Sequence, residues 1–131
     1  MSNMQPGTEP GAIVGAWSLI SFTANGHSEV SHPLGTEVHG MLIYTPQGFM
    51  AAQLAGADGY MGYAGTYEWY GSRVVHRTIV GNAPQWDGAV LYRSAELKDR
   101  LLTLRAENNG MTLTATWQRL TPGPVTVSKL R

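Results

Sequence analysis

The chain contains no cysteine, few charged residues and no long apolar run. Without cysteine it forms neither disulfide bonds nor thiolate ligands or nucleophiles, so zinc–thiolate sites and cysteine catalysis are excluded. Charged residues make up only 14% of the 131 residues, and nine basic side chains balance nine acidic ones. A chain without net charge has no global field that attracts nucleic acid or an anionic membrane, so we expect neither partner.

The ends of the chain and its length predict its organisation. Residues 1–11 are polar and rich in proline and glycine, which predicts a flexible N-terminal arm. Residues 12–131 fit one domain with one core. The arm lacks the basic start and apolar stretch of a secretory signal, and no run of about 20 apolar residues could span a membrane. We therefore expect a soluble cytoplasmic protein.

Short apolar runs separated by turn residues recur along the chain at nearly regular intervals. Asn109-Gly110, for example, is the residue pair favoured in two-residue type I′ hairpins. This spacing, with almost no helical periodicity, predicts an all-β fold, a single antiparallel up-and-down barrel of about eight strands. The predicted strands are 14–23, 38–45, 48–54, 63–70, 73–80, 89–98, 101–107 and 111–119.

Alternation along the strands assigns their faces, because successive side chains of a strand point to opposite sides. In 111–119, Leu113, Ala115 and Trp117 share one face and threonines occupy the other. The interior of an eight-stranded barrel accommodates either packed side chains or one small ligand. Aromatic walls with a few polar groups are typical of ligand cavities, whereas a dry core with paired polar groups is the alternative. The aromatic and polar residues predicted to face inward are Tyr67, Trp69, His76, Arg93, Trp117 and Arg119.

Trp17 and Arg119 are predicted to have a structural role. In a meander closed into a barrel, the last strand lies beside the first, so Trp17 at the start and Arg119 at the end can meet. A guanidinium stacked on an indole contributes about 0.5–2 kcal/mol, depending on desolvation. We expect this pair to close one end of the barrel.

Gly15-x-Trp17 on the first strand, with an arginine on the last, resembles the calycin or lipocalin signature. Five segments together resemble the small bacterial lipocalin-like domain family over about residues 12–120. They are GAWSLISF, PLGTEVHGMLIYTPQGFMAAQL, YAGTYEW, VVHRTIVGNAPQWDG and LTATWQRL. The resemblance implies a lipocalin-like barrel. Two differences from the family pattern are His32, where members usually carry tyrosine, and a short segment between Leu54 and Tyr63, which leaves the mouth open or covered by Tyr60 and Met61.

His76 and Arg93 are the strongest candidates for chemistry, since they face inward on adjacent predicted strands. Arginine can hold a carboxylate, enolate or carbonyl oxygen, and histidine can transfer protons near neutral pH. Trp86 lies in a loop rich in glycine and proline, where a large aromatic ring suits a mouth or a dimer contact. The predicted ligand-binding residues are Tyr44, Tyr60, Met61, Tyr67, Trp69, His76, Trp86, Arg93 and Trp117.

Three functions are compatible with these residues. The first is the binding of one small, largely apolar molecule inside the barrel. The second is a cofactor-independent cyclase or isomerase acting on a polyketide- or terpenoid-like substrate, as in lipocalin-like barrels elsewhere, with His76, Arg93 and Tyr67 as catalytic residues. The third is a packed barrel that acts through protein contacts. We expect no cofactor and no metal site, because the histidines follow no ligand spacing, and we include a homodimer among the expected assemblies.

Overall fold

In a computed structural model of the chain, the structure describes residues 9–126, and helix within this range is limited to the single 3-10 turn Pro84–Trp86. None of the helical structure in this range is long and apolar enough to cross a membrane. Residues 1–8 of the predicted arm lie outside the described residues. The strands are β1 (Gly15–Asn25), β2 (Val30–Ser31), β3 (Val38–Tyr44), β4 (Phe49–Gly56), β5 (Gly59–Trp69), β6 (Arg73–Gly81), β7 (Val90–Lys98), β8 (Leu101–Asn108) and β9 (Met111–Arg119).

The strands form an antiparallel meander that closes on itself. Neighbours in sequence are neighbours in the sheet from β3 to β9, β1 pairs with β3, and β1 also pairs with β9. The predicted eight-stranded antiparallel barrel is therefore confirmed. The two-residue strand β2, which was not predicted, adds only to the end of β1, where Ala24 lies opposite Ser31.

Hairpin turns and side-chain faces follow from the sequence pattern. Asn109 and Gly110 both have positive φ, at 53° and 79°, which a two-residue type I′ turn requires. In β8, Leu102 and Leu104 are buried, whereas Leu101 is exposed. Burial of each large apolar side chain contributes about 1.5–3 kcal/mol. The inward faces of all eight barrel strands together form one core.

One end of the barrel is closed by Trp17 and Arg119, as predicted. The Arg119 guanidinium carbon lies 4.3 Å from the centroid of the Trp17 ring. Arg119 Nη1 donates to the Val14 carbonyl at 2.8 Å, and Trp17 Nε1 donates to the Ile13 carbonyl at 3.0 Å. Residues 9–14 thus fold across this end, which we call the floor, and Ile13 is fully buried there.

The opposite end, the mouth, is formed by residues 26–37, by the β4–β5 and β8–β9 turns, and by the 82–89 loop. The wall is not paired continuously up to the mouth. β7 and β8 pair only from Ser94–Arg105 to Lys98–Leu101, whereas the pairing of β8 with β9 runs the full length of β8. The first part of β7 is paired with β6 on its other edge, as in the Val90–Arg77 pair, but its edge toward β8 is unpaired in the described part of the chain. The upper parts of β7 and β8 consequently have no ladder between them.

Candidate functional site

His76 lies at the centre of a buried hydrogen-bond network. Its side chain is only 1% exposed. Tyr44 Oη lies 2.6 Å from His76 Nε2, and Tyr63 Oη lies 2.9 Å from His76 Nδ1. A neutral imidazole donates from one nitrogen and accepts at the other. One tyrosine therefore donates to His76, and the other accepts from it and keeps its own proton for a further partner.

The network is electrically neutral. Burial, with a smaller contribution from the positive charge of Arg93, lowers the pKa of His76 from 6.5 to about 3. Burial also raises the pKa of the Tyr44 and Tyr63 hydroxyls, which opposes phenolate formation. At neutral pH, His76 is therefore an uncharged imidazole between two phenols.

A cavity of about 60 Å³ lies inside the barrel above this network, on the side of the mouth. Most of its wall is aliphatic or aromatic, and His76, Tyr63 and Arg93 provide polar groups. The lining residues are Phe22, Leu42, Ala52, Leu54, Met61, Tyr63, His76, Trp86, Arg93, Leu104, Ala106, Leu113, Ala115 and Trp117.

Five of the nine residues predicted to bind a ligand line this cavity: Met61, His76, Trp86, Arg93 and Trp117. Tyr63 also lines it but was absent from the predicted set. The alternation of the strand could have identified it, because Tyr63 shares one face of β5 with Tyr67 and Trp69.

The other four predicted residues lie elsewhere. Tyr44 is buried behind His76 rather than in the cavity wall. Tyr67 lies further toward the floor, where its hydroxyl donates to the Thr45 carbonyl at 2.7 Å, so the hydroxyl is directed away from the position predicted for a catalytic group. Trp69, at the end of β5, packs against the core near the floor, and Tyr60 is 52% exposed on the outer face.

Trp117, a residue of the cavity wall, has a buried polar group without a partner among the described residues. Its side chain is 2% exposed and lines the cavity, and within residues 9–126 its indole Nε1 has no hydrogen-bond partner. A buried donor without an acceptor costs about 1–3 kcal/mol. An indole N–H can only donate, so Trp117 favours an acceptor atom near its Nε1.

Trp86 covers the mouth side of the cavity. Its ring centroid lies 5.4 Å from that of Tyr63. Gly81 leaves room for it, since a Cβ at Gly81 would collide with the Trp86 side chain. The loop is held by Thr78, whose hydroxyl contacts the Trp86 carbonyl and accepts from the Ala89 amide at 2.8 Å. Asn82, at the start of the loop, also hydrogen-bonds Gly62 and Tyr60, and together these contacts keep the loop closed.

Comparison with known proteins supports the fold and the resemblance. A family model described as a lipocalin-like domain matches residues 14–58, which include Trp17 but not Arg119, and this match confirms the predicted resemblance over that segment. A lipocalin-like protein from Bacteroides uniformis is 15% identical, with a TM-score of 0.51, over 82% of this chain and 98% of that one. This likeness supports the lipocalin-like fold. An uncharacterized protein from Bacteroides eggerthii is 15% identical, with a TM-score of 0.49, at the same coverage. No curated protein matches the chain.

Proposed function

We propose that this chain binds a small, largely apolar molecule that carries an acceptor oxygen in the upper half of its lipocalin-like barrel. The observation that carries the proposal is that Trp117, whose Nε1 has no hydrogen-bond partner within residues 9–126, belongs to the wall of a mostly apolar cavity. A carbonyl, ether or hydroxyl oxygen on the ligand would satisfy this donor and remove the cost of leaving it unpaired. The apolar remainder of the ligand would contact the aliphatic and aromatic walls.

The size of the cavity sets a condition on binding. Its volume of about 60 Å³ is well below the roughly 300–1,000 Å³ of typical ligand sites. A ligand larger than a few atoms therefore requires Met61 and Trp86 to move outward. This movement would break the ring contact of Trp86 with Tyr63 and the contact of the Thr78 hydroxyl with the Trp86 carbonyl. The hydrogen bonds of Asn82 at the start of the loop would not need to change.

The second candidate is the cofactor-independent cyclase or isomerase, and the Tyr44–His76–Tyr63 network favours it. If Tyr44 donates to His76 and His76 donates to Tyr63, the Tyr63 proton is free to bond a ligand oxygen. Complete proton transfer along these hydrogen bonds would leave Tyr44 as a buried phenolate, which the raised pKa of its hydroxyl opposes. Tyr63 and Arg93 would therefore act by stabilising a developing oxyanion, a role in which Tyr63 replaces Tyr67.

The third candidate, a packed barrel that binds a protein, is favoured by the small volume of the cavity. It is also compatible with exposed apolar side chains on the outer face of neighbouring strands, among them Ile20, Met41, Ile43 and Phe49. Native mass spectrometry of protein purified from its own host separates this candidate from the other two. A stoichiometric apolar molecule supports the proposal, whereas an empty protein that also binds no hydrophobic probe supports the packed barrel.

We expect Ala52→Leu to abolish the binding of a neutral fluorescent probe, phenylnaphthylamine. Ala52 lines the cavity and is buried, so the added isopropyl group fills the space that the probe needs. Its neighbour Ala51 lies on the other face of β4, outside the cavity lining. Ala51→Leu adds the same group to the outer face and is expected to leave the affinity within about twofold.

Fluorescence titration of both variants measures this difference, and circular dichroism confirms that each is folded. Overpacking at Ala52 is expected to cost at most about 1–3 kcal/mol, since a void lies next to it. Equal probe affinities in the two variants would place the bound probe outside the barrel.

To distinguish a carrier from an enzyme, Arg93→Ala and His76→Ala are compared for binding and turnover of the extracted molecule. Loss of turnover with retained binding supports the cyclase or isomerase. Equal loss of both, or no turnover by the original chain, supports a carrier.

A further inference from the structure

The barrel wall has a gap between the upper parts of β7 and β8. Their ladder ends at the Ser94–Arg105 pair, so residues 90–93 and 106–108 face each other without backbone pairing. Leu91 and Arg93 belong to the inner face of β7, yet both line a groove on the outside of the molecule together with Glu107 of β8. Inner-face residues can reach an outer groove only where the wall is open.

Arg93 connects the two spaces. It lines the inner cavity with His76 and Tyr63, and it also lines the outer groove, which has an open volume of about 770 Å³. Its Nη1 donates to the Tyr92 carbonyl at 3.3 Å, and its guanidinium also hydrogen-bonds the Tyr63 hydroxyl. Since a guanidinium has five N–H donors, part of its capacity remains for another acceptor. The groove is lined by Tyr70, Ser72, Arg73, Val90, Leu91, Tyr92, Arg93, Ser94, Arg105 and Glu107.

The groove is positively charged although the whole chain is neutral. Three guanidinium groups, from Arg73, Arg93 and Arg105, line it with a single carboxylate, that of Glu107. The Glu107 carboxylate also accepts from the Thr112 hydroxyl at 2.9 Å. Arg105 has one further acidic neighbour, at 3.8 Å, the carboxylate of Glu96. Guanidinium groups pair well with planar or tetrahedral anions.

We propose that the groove and the cavity form one continuous site for an amphiphilic anion. Its apolar part would occupy the barrel, and its carboxylate or sulfonate would lie in the gap and bind Arg73, Arg93 and Arg105. This inference rests on the proposed apolar binding and adds to it the charge of the ligand.

Two fluorescent probes that share one aromatic skeleton test the inference. Phenylnaphthylamine is neutral, and anilinonaphthalene sulfonate adds one anionic group. The Arg73→Gln/Arg105→Gln variant should bind the sulfonate about tenfold more weakly, the effect of losing roughly one charge-assisted contact. Its affinity for the neutral probe should stay within about twofold, since neither residue lines the cavity.

Arg77→Gln is the matched control. Arg77 lies on the same strand as Arg73 and pairs with Glu68 at 3.3 Å, and it does not line the groove. The Arg77→Gln variant should bind both probes with the same affinity as the original chain. Circular dichroism checks that all variants are folded.

The outcomes separate the two proposals. If both probes bind the original chain and the double substitution changes their affinities by the same factor, the anionic site is overturned and the apolar site stands. If Arg77→Gln weakens the sulfonate as much as the double variant, the effect is one of general surface charge and the groove proposal also fails. If neither probe binds the original chain, the apolar site fails and the anionic extension fails with it.

Discussion

Replacing Trp17 with alanine is expected to lower the free energy of unfolding by about 3–5 kcal/mol, the usual cost of truncating a fully buried tryptophan. Trp17 is completely buried, stacks on Arg119 and donates to the Ile13 carbonyl. Its loss would leave a hole in the floor and remove the surface on which residues 9–14 pack. Because domains of this size are stable by only about 5–15 kcal/mol, a large part of that margin would disappear.

Urea denaturation followed by circular dichroism measures the change. Trp86→Ala is the matched control, since it removes the same side chain from the partly exposed mouth loop and should cost much less. Arg119→Lys should have an intermediate effect, because lysine keeps the charge but loses the planar stacking and the reach to two carbonyl groups. A Trp17→Ala midpoint no lower than that of Trp86→Ala would contradict the role assigned to the floor.

The second large effect is a loss of stability in acid that originates at His76. The pKa of His76 is about 3 in the folded chain and 6.5 when the residue is exposed. Between these values the unfolded chain binds a proton that the folded chain does not, so stability falls as the pH falls from 6.5 toward 3. Over the full window this single group lowers stability by roughly 4–5 kcal/mol. Above pH 6.5 its contribution is constant.

The variant His76→Phe isolates this contribution. It is expected to be less stable at pH 7, because Tyr44 and Tyr63 lose a buried partner at about 1–3 kcal/mol each. Its stability should then change less between pH 7 and about pH 4 than that of the original chain, because the titrating group is gone. Urea midpoints across this range measure the two slopes, and parallel slopes would show that His76 does not titrate as a buried group.

The site was only partly predictable, and the errors have a common cause. Alternation placed Tyr63, Tyr67 and Trp69 on one face of β5, but it carries no information about height along the barrel. Strand tilt and register decide that height, and they place Tyr63 at the cavity while Tyr67 and Trp69 lie near the floor. Tyr60 was predicted to bind a ligand near the mouth. Because β5 begins at Gly59, alternation along this strand directs the Tyr60 side chain outward.

The amino-acid sequence by itself determined the number of barrel strands, the type I′ turn at Asn109-Gly110 and the contact of Trp17 with Arg119. The number of strands follows from local alternation, and the turn follows from the conformational preferences of Asn109 and Gly110. The Trp17–Arg119 contact follows from the closure of the meander. Only the tertiary structure decided that Tyr44 and Tyr63 both bond His76, that Trp117 keeps an unpaired donor, and that the wall opens beside Arg93. These features depend on the stagger between strands distant in sequence, which is set by the packing of the whole barrel.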